Sequence, residues 1–179
     1  SRVLDLGGML DATYKNNIVS IQSLSNMALR QMQHSRGLTR LPSLKKAEDI
    51  KLTEGRMKEQ VKLLNEWMEK YRSTPQSEQE KQLNRQLDAA LIPYFESVDK
   101  VLQLVTEGKQ EEASAYSMNV TRKNSDEVEK IIRGLIDDNS RQAKEGNENA
   151  LKTISVVRGT MISLVAVAFA LAVGLGVFV

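Results

Sequence analysis

The stretch LNRQLDAALIPYFESVDKVLQLV, residues 83–105, decides the fold because its apolar side chains recur every three or four positions. The apolar positions 83, 87, 91, 94, 98, 101 and 105 lie on one face of an α-helix. A period close to 3.5 is typical of helices that pack nearly parallel to one another. We therefore predict a long amphipathic helix whose apolar face lies in the core of a bundle. Pro93 lies inside this helix and predicts a kink or a loosened turn there.

Three other segments show the same spacing, and four such segments predict an all-α four-helix bundle. Only 4% of the residues are aromatic, which is typical of a helical protein rather than a β-sheet protein. The apolar residues of these segments are Leu10, Tyr14, Ile18, Ile21, Leu24, Met27, Ala28 and Met32 in the first, Met57, Val61, Leu64, Met68 and Tyr71 in the second, and Val128, Ile132, Leu135, Ala150, Leu151 and Ile154 in the fourth.

Proline, glycine and capping residues separate the predicted helices. Leu41-Pro42-Ser43 predicts the end of the first helix, because proline disfavours helical geometry in the residue before it. The third helix can begin at Ser73-Thr74-Pro75, or slightly later with a capping box made by Ser77 and Glu80. Gly108 suits the left-handed position that follows a helix end. Because all these connections are short, we expect an antiparallel up-down-up-down bundle.

Residues 159–179 contain no charged side chain and are mostly apolar. A helix needs about 20 such residues to cross a bilayer core of about 30 Å. We therefore predict a transmembrane helix at 159–179, preceded by an extracytoplasmic sensor domain at 1–158 whose fourth helix continues into the membrane. A buried core helix is the alternative, although core helices are usually shorter. The chain does not begin with methionine and ends within this apolar run, so we expect it to be a fragment of a longer protein.

The composition argues against several kinds of site. The chain has no cysteine and a single histidine, His34, so thiolate chemistry is excluded and a histidine metal cluster is not expected. A net charge of +2 gives no support to a nucleic-acid partner. The acidic pairs Glu111-Glu112 and Asp137-Asp138 fall where a solvated helix face is predicted. We therefore expect no enzymatic activity, no cofactor and no metal.

The segment Ala115-Tyr116-Ser117-Met118-Asn119-Val120-Thr121 precedes the fourth apolar stripe. It resembles the Ala-Tyr-x-x-Gln-x-Thr motif of the bacterial aspartate receptor, and the whole arrangement is similar to the periplasmic four-helix domain of methyl-accepting chemotaxis receptors. The resemblance implies that Tyr116 and Asn119 present backbone carbonyls to a ligand ammonium group and that Thr121 offers its hydroxyl. The alternative is an irregular helix start, because Asn and Thr favour caps and turns.

The same family places arginines on the first helix at spacings of five and then four residues. The matching positions here are Gln31, Arg36 and Arg40, with Arg30 next to the position that lacks an arginine. The resemblance implies that Arg30, Arg36 and Arg40 bind an anionic ligand, and His34 is a further candidate for the same pocket. The alternatives are that the arginines are solvated surface charges and that His34 is a partly exposed histidine without a function.

The sequence therefore predicts a chemoreceptor sensor domain in the bacterial inner membrane, with its bundle in the periplasm. We expect a homodimer that binds a small anionic metabolite, an organic acid or an amino acid, at the subunit interface and signals through helix four. One alternative is the sensor domain of a histidine kinase or of another transmembrane signalling protein. The other is a membrane-tethered bundle that binds a protein partner and no small molecule.

Overall fold

In a computed structural model of the chain, the backbone is described for residues 2–176 and the side chains for residues 17–164. All regular structure in this part of the chain is helical, as predicted. The helices are α1 (Arg2–Arg40), α2 (Ala47–Arg72), α3 (Glu78–Thr106), α4 (Gln110–Tyr116) and α5 (Arg122–Gly176), with a 3-10 turn at Leu41–Ser43 and a π-helical segment at Ser117–Thr121. The run from α4 to α5 forms the fourth helix of the predicted bundle, after α1, α2 and α3.

The chain divides into two compact units. The larger unit, Lys15–Ser140, contains the buried core and the site described below. The smaller unit comprises Ser1–Tyr14 and Arg141–Val179. Within its described part, residues 141–164, Leu151 and Ile154 are exposed, although the sequence predicts them in the apolar stripe of the fourth helix. No residue after Asn139 is buried in the described part of that helix.

Apolar side chains from every long helix form the core of the larger unit. In α1 only one of two apolar faces is buried in this core. The buried positions of α1 after residue 20 are Ser23, Leu24, Met27, Gln31, His34 and Leu38. Ile18 and Met32 also fit the helical spacing, yet they are exposed. The prediction for these two residues was wrong because periodicity alone does not decide which of two apolar faces meets the other helices.

The predicted end of the first helix is confirmed, and of the two predicted starts of the third helix the structure has the later one. The 3-10 turn at Leu41–Ser43 follows the end of α1, and α3 begins with the Ser77 capping box rather than at Pro75. The backbone N–H of Ser77 donates to Glu80 Oε2 at 2.8 Å, and the N–H of Glu80 donates to Ser77 Oγ at 3.2 Å. Gly108 has a φ of 76°, where a side chain would be strained, and the N–H of Lys109 bonds the Leu104 carbonyl.

Pro93 does not interrupt α3, which runs from Glu78 to Thr106. A proline inside a helix removes one backbone hydrogen bond and crowds the carbonyl four residues earlier. Here the carbonyl of Pro93 itself accepts a hydrogen bond from Asn124 Nδ2 of α5 at 3.0 Å. The proline position is therefore also a point where the third and fourth helices of the bundle are linked.

A buried polar cluster links the turn between α2 and α3 to α5. The carboxylate of Glu80 is buried and accepts hydrogen bonds from the Tyr71 hydroxyl and from Asn139 Nδ2, both at 2.8 Å. Burial, together with this carboxylate, raises the pKa of the Tyr71 phenol, which therefore remains a hydrogen-bond donor. Asp138 is buried as well, so the prediction that the pair Asp137-Asp138 is solvated was wrong for Asp138.

The predicted membrane segment lies mostly outside the residues whose side chains are described. Across the described part of the chain, no helix combines the length and hydropathy that crossing a membrane requires. Residues 165–179, which make up most of the predicted span at 159–179, belong to the part without described side chains. The boundary between 158 and 159 therefore stays a prediction.

Candidate functional site

The last five residues of the Ala115–Thr121 motif form a π-helical segment, Ser117–Thr121, and the first two belong to α4. The backbone N–H of Arg122 donates to the Ser117 carbonyl five residues earlier, which widens this turn relative to an α-helix. The expected alternative, an irregular helix start, is not observed, because the fourth helix begins earlier, at Gln110. Single π turns within α-helices occur frequently at functional sites, since they alter the direction of the side chains that follow.

A cleft of about 580 Å³ lies between α1 and this π-helical segment. Its volume is within the range of sites for small molecules. Its walls come from the last three turns of α1 on one side and from Ser117–Thr121 with the start of α5 on the other. The lining residues are Gln31, Met32, Ser35, Arg36, Leu38, Thr39, Arg40, Ser117, Met118, Thr121, Arg122, Ser125, Asp126 and Glu129.

Three arginines contribute to the walls of this cleft. Arg36 and Arg40 are one helical turn apart on α1, and Arg122 is the first residue of α5. All three side chains are exposed, and none of them forms an ion pair with another described residue. A guanidinium group offers five N–H donors that match a carboxylate in a bidentate geometry. These donors remain available to an anion in the cleft.

Thr121 is the one predicted site residue that lines the cleft and is itself buried. Its side chain is fully buried, and its hydroxyl donates to the Ser97 carbonyl of α3 at 3.4 Å. A hydroxyl that donates one hydrogen bond still has lone pairs that can accept another. The Thr121 side chain has no exposed surface, however, so its predicted contact with a ligand stays a prediction.

Gln31 occupies the position where the family pattern has a further arginine. It is 3% exposed, and its Nε2 donates to Ser125 Oγ at 2.8 Å and to the Ser125 carbonyl at 3.3 Å. The hydroxyl of Ser125 in turn donates to Ser35 Oγ at 3.2 Å. These bonds join α1 to α5 beneath the cleft, so the Gln31 side chain stabilises the wall rather than offering its donors to a ligand.

Arg30 and His34 lie away from the cleft. They line a separate cavity of about 10 Å³ together with Tyr94 and Phe95 of α3, which is room for about one water molecule. Arg30 donates from Nη1 to Gln33 Oε1 at 3.1 Å, and its Nε is buried without a hydrogen-bond partner among the described residues. The structure does not bring these two residues together with Arg36 and Arg40, because positions 30 and 34 lie on the side of α1 that meets α2 and α3.

His34 is also more buried than the sequence suggests. It is 4% exposed, and its Nδ1 is hydrogen-bonded to the Tyr94 hydroxyl at 2.6 Å. Burial lowers the pKa of the His34 imidazole from 6.5 to about 4, because a charged ring is poorly solvated in the core. The expectation of a partly exposed histidine was therefore wrong, and the ring is neutral at physiological pH.

Tyr116 and Asn119 do not contribute side chains to the cleft. Tyr116 is half-buried and packs against the core, while Asn119 is exposed. The resemblance assigns a role to the backbone carbonyls of these residues and not to their side chains. That role stays a prediction.

The sequence match to a known protein family shows which family the chain belongs to. Residues 5–154 match the model of a family described as a four helix bundle sensory module for signal transduction. The chain belongs to this family. The predicted relationship to the sensory modules of methyl-accepting chemotaxis receptors is thus confirmed. A comparison with curated proteins gives no match.

The match to the sensory module includes every residue of the cleft. Sequence reasoning identified Arg36, Arg40 and Thr121 in this cleft but missed Arg122 and Asp126. The signal for Arg122 was its position directly after the Ala115–Thr121 motif. No sequence signal indicated the π turn, because its hydrogen bonds depend on how the helix packs against α3.

Proposed function

We propose that this sensory module binds a small anionic metabolite, an organic acid or an amino acid, in the cleft between α1 and the π-helical segment. The proposal rests on the three exposed arginines that line the cleft, none of which forms an ion pair with another described residue. A hydrogen bond to a charged group contributes about 1.5–3 kcal/mol. Two or three such contacts could therefore support micromolar affinity, which corresponds to about 8 kcal/mol.

The sensory module functions as a homodimer in this proposal. Ile18, Leu29 and Met32 are exposed on α1, and Met32 also lines the cleft. An apolar stripe on one helix favours packing against a matching stripe, and two-fold dimers use the same surface of both subunits. The first helix of a second copy would then cover the open side of the cleft and complete the site.

Signalling in this proposal depends on α5, which follows the cleft directly and extends from Arg122 to Gly176. The ligand contacts α1 and the start of the fourth helix together, so its affinity depends on the position of one relative to the other. A ligand can shift two states only by the difference between its affinities for them. The shifted helix would pass the signal through the inner membrane at 159–179, with the bundle in the periplasm.

A screen of amino acids and organic acids against the purified chain, read as a rise in melting temperature, tests the proposal. We expect at least one anion to raise the melting temperature and Arg36→Ala to abolish that rise. Arg56→Ala is the matched control, because Arg56 is an exposed arginine on α2 outside the cleft. The small-molecule proposal fails if no compound stabilises the chain and Arg36→Ala leaves receptor signalling intact.

A further inference from the structure

The cleft contains more positive charge than the neighbouring carboxylates neutralise. Arg36, Arg40 and Arg122 line it together with Asp126 and Glu129. The Glu129 carboxylate is already bound by Arg133, whose Nε donates to it at 2.9 Å. Asp126 is thus the one lining carboxylate without an ion pair among the described residues, and it shares the cleft with three arginines. Three arginines and one carboxylate without an ion pair leave the cleft with a net charge of two positive charges.

The three cations come from two different helices. Arg36 and Arg40 are on α1, whereas Arg122 is on α5, immediately after the π-helical segment. Gln31 also lines the cleft, but its amide N–H groups already donate hydrogen bonds to Ser125. Arg122 is therefore the charged donor that the fourth helix offers to a molecule held by Arg36 and Arg40.

We propose that Arg122 contacts the ligand directly and makes the site selective for molecules with two anionic groups over molecules with one. This inference rests on the proposed function of the cleft. One anionic group is bound by the α1 arginines, and the second is bound by Arg122. A ligand with a single carboxylate binds Arg36 and Arg40 but has no anionic group for Arg122.

Selectivity of this kind also determines how binding acts on the fourth helix. A molecule held at both ends joins α1 to α5 through its two anionic groups. Its affinity then depends on the distance between Arg122 and the two α1 arginines, and a movement of α5 changes that distance. A monoanion bound by α1 alone has no such dependence, so it can occupy the cleft without favouring one position of α5.

The test compares succinate, which has two carboxylates, with butyrate, which has the same chain length and one carboxylate, by calorimetric titration of the purified chain. We expect succinate to bind the unaltered protein more tightly than butyrate. Arg122→Gln should weaken succinate binding about ten- to one-hundred-fold and leave the affinity for butyrate nearly unchanged. Lys123→Gln, which removes an exposed charge next in the chain and outside the cleft, should change neither affinity.

The possible results separate the two proposals. If Arg36→Gln abolishes binding of succinate while Arg122→Gln does not weaken it, the role of Arg122 is overturned and the cleft remains the anion site. Equal weakening of succinate and butyrate by Arg122→Gln also overturns the selectivity. If neither anion binds, and citrate and aspartate also fail to bind, the proposed function fails and the role of Arg122 fails with it.

Discussion

At the scale of single residues, the buried pair of His34 and Tyr94 illustrates how position in the core controls protonation. The imidazole lies between α1 and α3, in edge contact with the rings of Tyr94 and Phe95. Burial lowers the pKa of His34 to about 4, compared with 6.5 in an unfolded chain. The unfolded state therefore binds more protons than the folded state between these two pKa values.

This difference predicts how stability depends on pH. The contribution of a neutral His34 is complete above pH 6.5 and is lost as the pH falls toward 4. Between pH 7 and pH 5 we expect the free energy of unfolding to fall by about 2 kcal/mol, since each pH unit in this window costs about 1.4 kcal/mol. Urea unfolding at both pH values measures the change.

His34→Gln provides the control, because His34 is the only histidine and few other groups titrate in this window. At pH 7 the variant should be less stable than the unaltered protein, because it lacks the bond to Tyr94. The free energy of unfolding of the variant should be nearly the same at pH 5 as at pH 7. A decrease between pH 7 and pH 5 as large as in the unaltered protein would show that His34 is not responsible.

At the scale of helices and their connections, the features that depend on a few neighbouring residues were predictable. The Ser77 capping box and the left-handed Gly108 involve residues at most five positions apart, so the sequence contains all the information they need. The π-helical segment and the burial of His34 depend on contacts with other helices. These were not predictable, because hydrophobic periodicity gives the faces of a helix but not which neighbour each face meets.

The bond between Asn139 and Glu80 fixes α5 against the turn between α2 and α3. Asn139→Ala removes the donor at 2.8 Å from the buried Glu80 carboxylate. We expect this change to lower the free energy of unfolding by about 1–3 kcal/mol, as is usual when a buried acceptor loses a partner. Ser140→Ala, which alters the next and exposed residue, should change it by less than about 0.5 kcal/mol. Equal effects of the two substitutions in urea unfolding would contradict the structural role of Asn139.

At the scale of the whole molecule, the proposed homodimer rests on the exposed apolar stripe of α1, formed by Ile18, Leu29 and Met32. Leu29→Glu places a charge at the centre of this stripe, where Leu29 is 38% exposed. We expect sedimentation equilibrium to show a dimer for the unaltered chain and a monomer for the variant, because burying an unpaired carboxylate in an interface is costly. Leu52→Glu on α2 alters a side chain that is 54% exposed and should leave the dimer intact. A chain that stays monomeric at high concentration, with or without succinate, would contradict the shared site.

In the proposed function, ligand selectivity and signalling through α5 both depend on anion binding between α1 and the π-helical segment. The most direct measurement is an NMR titration with succinate that follows the side-chain Nε–H signals of the arginines. We expect saturable shifts for Arg36, Arg40 and Arg122, and no shift for Arg85 on α3, which lies outside the cleft. Unchanged signals from all three cleft arginines, at concentrations where titration calorimetry detects binding, would contradict the assignment of the site.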